Sequence, residues 1–126
     1  MGEIVHLQQH DTIAVDSHRI AALFRHRGAA QAELSIITTM EDLTSCLRAI
    51  EAALGAGALG QVPEYARPAR AYAEDIGLVT LAAILGQLET ACQHHDKTAA
   101  NALWHRAARV GDRSFVDLWQ LPLLQM

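Results

Sequence analysis

Arg67, Arg70, Ala71 and Glu74 recur at i, i+3, i+4 and i+7 within the stretch Ala66–Leu81, a spacing that lines one face of an α-helix. From charge spacing alone, two guanidiniums and a carboxylate on one face read as an ordinary solvated helix surface, and neither arginine is equipped for covalent chemistry. A guanidinium stays protonated in proteins, carries five N–H donors and has no lone pair to offer an electrophile. Arg70 and Glu74 stand one helical turn apart, which suits a surface ion pair worth about 0.3 kcal/mol. Ala66, Ala69, Ala73 and Ile76 line another face of the same stretch. That face is apolar and is expected to meet the core.

The remaining reactive side chains are scattered. Of seven histidines, His94 and His95 are adjacent at a helix end, His18 and His26 are eight residues apart, and His105 follows Trp104 on a solvent-facing position. Within the expected helices no His-x-x-x-His, Glu-x-x-His or Cys-x-x-Cys spacing occurs, so no metal site is expected. There is no Gly-rich phosphate loop, nucleophile elbow or carboxylate pair, and Ser45 and Cys46 have no adjacent base. Neither a catalytic residue nor a cofactor is expected.

Of the 126 residues, 51% are hydrophobic and only 5% aromatic, a balance that favours helices over a sandwich or barrel. A chain of this length builds one core. The formal charge of −4 comes without a Lys/Arg block, which argues against a nucleic-acid partner. No apolar run is long enough to span a bilayer, and the first residues carry no signal-peptide pattern. Cys46 and Cys92 fall on helical apolar positions and are expected as two buried free thiols in a cytoplasmic protein.

The elements follow from periodicity and punctuation. Residues 1–15 read as a partly extended arm and 16–126 as the helical domain. Asp16 is the expected N-cap of a helix over Ser17–Arg27, with Ile20, Leu23 and Phe24 on one face and Gly28 as its stop. A longer helix is expected over Ala30–Leu54, with Leu34, Ile37, Met40, Leu43, Leu47, Ile50 and Leu54 as its inner stripe. After the glycine-rich break at 55–60, a third helix starts between Pro63 and Pro68 and ends near Ile76-Gly77. A fourth covers Thr80–Gln93, with Leu81, Leu85, Leu88 and Cys92 as its seam. Asp96 caps a fifth, which starts near Lys97 and stops at Gly111 or runs on towards Leu121, before Pro122 closes the fold. The expected fold is all-α, an up-and-down four-helix bundle with a short accessory N-terminal helix.

The order of these elements from Val15 to Trp119, the acidic second helix (Glu33, Glu41, Asp42), the helix Ala66-Arg67-Pro68-Ala69-Arg70-Ala71 with its Ile76-Gly77 ending, and Leu85-Gly86-Gln87-Leu88-Glu89 before a His-Asp turn together resemble histidine-containing phosphotransfer (HPt) domains. In that family an exposed histidine in mid-helix accepts a phosphoryl group from a receiver aspartate. A lysine offsets the added charge, and a glycine leaves room for the partner. The resemblance places Arg67 at the histidine position, Ala69 at the leucine, Arg70 at the lysine and Ala71 at the glycine. A cation and a small residue are kept, and the phosphoacceptor is lost. Pro68 departs further from the pattern: inside a helix it removes the bond to Glu64 and costs roughly 3 kcal/mol, so the helix is expected to begin later or to bend.

The resemblance therefore implies a degenerate HPt-like module of bacterial-type two-component signalling. Its expected partners are a receiver domain or a histidine kinase, met through Arg67, Arg70, Ala71 and Glu74. Two other readings compete with it. One is phosphotransfer through a displaced histidine (His94, His95 or His105). The other is an unrelated helical-bundle homodimer or assembly subunit. One or both of Trp104 and Trp119 are expected to cap the bundle end, the alternative being an interface, where aromatics are enriched. The apolar tail at Leu118, Trp119, Leu121, Leu123 and Leu124 favours self-association if it is not folded back.

Overall fold

The computed structural model describes residues 4–7 and 13–121. Asp16 is where the helical part begins. Its carboxylate Oδ1 accepts hydrogen bonds from the backbone N–H groups of His18 (3.0 Å) and Arg19 (3.2 Å), satisfying donors that the first turn leaves without partners. Helix α1 runs Ser17–Arg27 and ends at Gly28. After it come α2 (Ala29–Gly55), a 3₁₀ turn at Leu59–Gln61, α3 (Val62–Asp75), α4 (Val79–Gln93) and α5 (Lys97–Trp119). Asp96 caps α5 by accepting from the Ala99 N–H at 3.1 Å. Ahead of α1, strands β1 (Ile4–Leu7) and β2 (Ile13–Asp16) pair antiparallel, with Val5 opposite Val15.

The protein is an all-α helical bundle carrying this short hairpin. In it α3 packs between α2 and α4, and α4 packs on α5. Ile20, Ile36, Leu43, Ile50, Ile76, Leu81, Leu85, Leu88 and Leu118 are fully buried. The seam expected for α4 is buried throughout. Helix α5 continues through Gly111, which is itself buried where Leu47 and Leu81 approach. Pro122, Leu123 and Leu124 lie outside the described residues.

The inner stripe of α2 differs from expectation. Leu43 and Ile50 are buried, but so are Ala32, Ile36 and Ala53, whereas Leu34 is 59% exposed and Ile37, Met40, Leu47 and Leu54 are half-buried. Helix α2 has neighbours on two sides. The 36/43/50 stripe is the one sealed in the core, and Ile37, Met40 and Leu47 turn towards α5. Helical spacing identifies apolar positions but cannot say which neighbour closes over them. Cys92 is buried as expected, Cys46 is only half-buried, and both thiols are free. Burial pushes both thiols above their ordinary pKa, and the nearby Asp42 charge adds to the effect at Cys46.

One close approach locks the start of the helical part to its middle. Gly77, in the turn between α3 and α4, has φ +76°. The Asp16 N–H donates to the Gly77 carbonyl at 2.7 Å. A Cβ on Gly77 would lie 2.7 Å from the Asp16 carbonyl oxygen, a distance that no side chain tolerates. Next to this latch the Ala14 N–H donates to Thr80 Oγ1 at 2.7 Å.

Candidate functional site

Helix α3 starts at Val62 with Pro63 in its first turn and continues through Pro68. Of the later start or bend expected from Pro68, the later start is not what the structure has, since α3 begins at Val62 and keeps Pro68 inside it. Pro63 takes the first-turn place, where a missing N–H costs nothing, and Pro68 sits in the interior, where packing on α2 and α4 must offset the lost bond to Glu64. That packing is close because the inward residues are small. Ala66, Ala69 and Ala73 are at most 1% exposed and Ile76 joins them in the core.

The opposite face carries the charges. Arg67, Arg70, Ala71 and Glu74 are all exposed, so the helix brings the four expected residues onto one surface. Arg70 Nε lies 3.8 Å from Glu74 Oε1, an exposed pair that contributes little. Arg70 also lies along α4: a Cβ placed on Gly86 would come within 3.3 Å of Arg70 Nη1 and 3.6 Å of its Cδ. The missing side chain at Gly86 gives the Arg70 stem its bed. Beside them a shallow cleft includes Asp16, Arg19, Val79 and Ala82. Its charges are largely matched, since Arg19 Nη2 stands 3.7 Å from Asp75 Oδ1 and its Nε donates to the Asp75 carbonyl at 3.0 Å.

The residue that sequence reasoning did not place in this site is Glu89. Arg67 Nε donates to Glu89 Oε2 at 2.6 Å. The Glu89 side chain is only 11% exposed against 61% for Arg67, so a nearly buried carboxylate on α4 anchors a largely exposed arginine on α3. A charge-assisted contact of this length is among the stronger side-chain hydrogen bonds. The available signal was a carboxylate directly beside the Leu85/Leu88/Cys92 seam, which demands a cation from a neighbouring helix.

No family model, curated protein or solved structure matches this chain.

The other candidates are dispersed. His18, His26, His94, His95 and His105 are exposed on three separate parts of the fold. No group of three or more His, Cys, Asp or Glu that could hold a metal occurs among the described residues. Glu3, His6 and His10 have the spacings Glu-x-x-His and His-x-x-x-His, but His6 lies on β1 rather than a helix, and Glu3 and His10 fall outside the described residues. No helix is long and apolar enough to cross a membrane among the described residues. Trp104 and Trp119 are half-buried along α5.

One further ionisable group is unusual. Asp117 on α5 is 5% exposed, and neither of its carboxylate oxygens accepts a hydrogen bond, although Arg113 Nε comes within 3.3 Å. Burial pushes the Asp117 carboxyl above its ordinary pKa, and the Arg113 charge opposes the shift.

Proposed function

We propose that this chain is an HPt-like interaction module of two-component signalling that does not itself transfer phosphate. In this reading it works in the cytoplasm and binds a receiver domain or a histidine kinase through Arg67, Arg70, Ala71 and Glu74. The observation that carries the proposal is the state of Arg67. Its Nε is held by Glu89 while the side chain stays 61% exposed. An arginine fixed through one nitrogen presents its terminal N–H groups in a set direction, and these match a carboxylate in paired geometry. Receiver domains offer a cluster of carboxylates where the family's histidine would enter. The guanidinium can occupy that place as a donor and, having no lone pair, cannot take the phosphoryl group. Ala71 keeps the neighbouring surface low enough for a partner's loops.

The test is calorimetric titration of purified receiver and kinase domains against the parent and two variants, Arg67→Ala and Arg70→Glu. Arg70→Glu is the cleaner charge reversal, because Arg67→Glu would set a second carboxylate beside Glu89. Binding that weakens about tenfold or more in both variants supports the reading. Equal binding by parent and variants, or acid-labile phosphate on the chain after incubation with a phosphorylated receiver, contradicts it.

A further inference from the structure

Across the bundle from α3, an open groove runs between α2 and α5. At one end Ile37 and Met40 of α2 face Phe115 and Trp119 of α5. At the other end Leu47 faces Trp104. Thr44, Arg48 and Phe115 border both ends, so the two hollows adjoin along α2 and α5 and between them present three aromatic side chains. Aromatic residues are enriched at protein interfaces and among the side chains that anchor them.

The α2 edge of the groove is itself patterned. Leu34, Thr38, Glu41, Ser45, Arg48 and Ala52 are all exposed and follow one another at steps of four, three, four, three and four. This is the repeat by which one helix lies along another. Leu34, at 59%, is the most exposed large apolar side chain among the described residues. The charges on this edge identify the occupant. Glu41 and Arg48 are two helical turns apart and form no ion pair among the described residues. Reversing α2 about the midpoint between Thr44 and Ser45 exchanges Glu41 with Arg48 and Leu34 with Gly55. Nothing lies within 4 Å of where a Gly55 side chain would begin, so Leu34 meets an open floor. A surface that complements its own reversed image is what a two-fold dimer requires.

We propose that two copies of this chain associate through the α2–α5 face, with the two α2 helices antiparallel and Glu41 of each copy against Arg48 of the partner subunit. From Leu34 to Gly55 the strip is about 33 Å long at 1.5 Å per residue, and with α5 it is two helices wide, on the scale of the ~800 Å² per partner of a standard interface. It shares no residue with the charged face of α3, so a dimer would present two such faces.

The test is sedimentation velocity of the full chain at micromolar concentration, using Glu41→Arg and Arg48→Glu singly and mixed. Both positions are exposed, and circular dichroism checks that each variant keeps its helix content. The parent is expected to sediment as a dimer. Each single variant places two like-charge contacts in the homodimer and is expected to self-associate more than about tenfold more weakly. Mixed in equal amounts, the two variants should recover a dimer, because each supplies the charge that the other lacks. A monomeric parent, single variants that dimerise as well as the parent, or a mixture that stays monomeric would each overturn the proposal.

Discussion

The two sides of this bundle are built from different residue sizes, and the difference sets what each can do. On the α3–α4 side, Ala66, Ala69 and Ala73 bring the helices together and leave only the charged outer face available. On the α2–α5 side, Met40, Phe115 and Trp119 hold the helices apart and leave a groove. Small residues make a dry, closely fitted seam on which an arginine can be aimed by a buried glutamate. Large half-buried ones leave apolar surface open for another molecule. The same alanine- and leucine-rich chain thus carries a rigid presenting face and an open accepting one.

The sharpest way to break the rigid side is at its latch. Gly77→Ala adds a Cβ against the Asp16 carbonyl and forces a positive φ on a residue that resists it. Urea unfolding should show a loss of about 2–4 kcal/mol, and a loss below about 1 kcal/mol would mean that the turn is not fixed as described.

The size contrast is tested by one substitution on each side. Ala69→Leu overpacks the closed seam and should cost about 1–3 kcal/mol. Ala108→Leu, at the half-buried edge of the groove, has room and should cost less than about 1 kcal/mol. Equal costs in parallel thermal unfolding experiments would erase the distinction.

Arg67→Ala should cost about 1 kcal/mol. It leaves the buried Glu89 carboxylate without its donor, but the exposure of Arg67 keeps the effect small. Arg70→Ala, which loses only a solvated pair with Glu74, should stay within about 0.5 kcal/mol. A reversed order would mean that Glu89 does not hold the arginine.

The smallest effect concerns Asp117 on α5. Its folded pKa is raised above the ordinary 3.8, so the folded protein keeps a proton that the unfolded chain has already released. Stability is therefore greatest below the ordinary value and falls as pH rises through the window up to the raised one. Asp117→Asn should flatten that part of the pH profile of Tm, and an unchanged slope would assign it to another group.

Much of the architecture was legible in the residues. Asp16, Gly28 and Asp96 mark helix ends through local hydrogen bonds, and the Ala66/Ala69/Ala73/Ile76 face is buried as its spacing predicts. What escaped depends on residues distant in the chain. Glu89 meets Arg67 across 22 positions, and Gly77 meets Asp16 across the whole of α1, α2 and α3; neither pairing has a period to read. Leu34 shows the complementary failure, since its helical spacing matches a core position and yet it stands 59% exposed, outside the Ile36/Leu43/Ile50 stripe that is sealed in the core. Local propensity makes Pro68 a helix start or a kink, because it ignores the neighbours that hold α3 together from Val62 to Asp75.

The measurement that bears most directly on the account is calorimetric titration of a purified receiver domain against the parent and Arg67→Ala, with circular dichroism to verify the fold of each. The account predicts that the parent binds and that Arg67→Ala binds at least about tenfold more weakly while keeping its helix content. Undiminished binding by Arg67→Ala would contradict the claim that the arginine anchored by Glu89 is the point of contact.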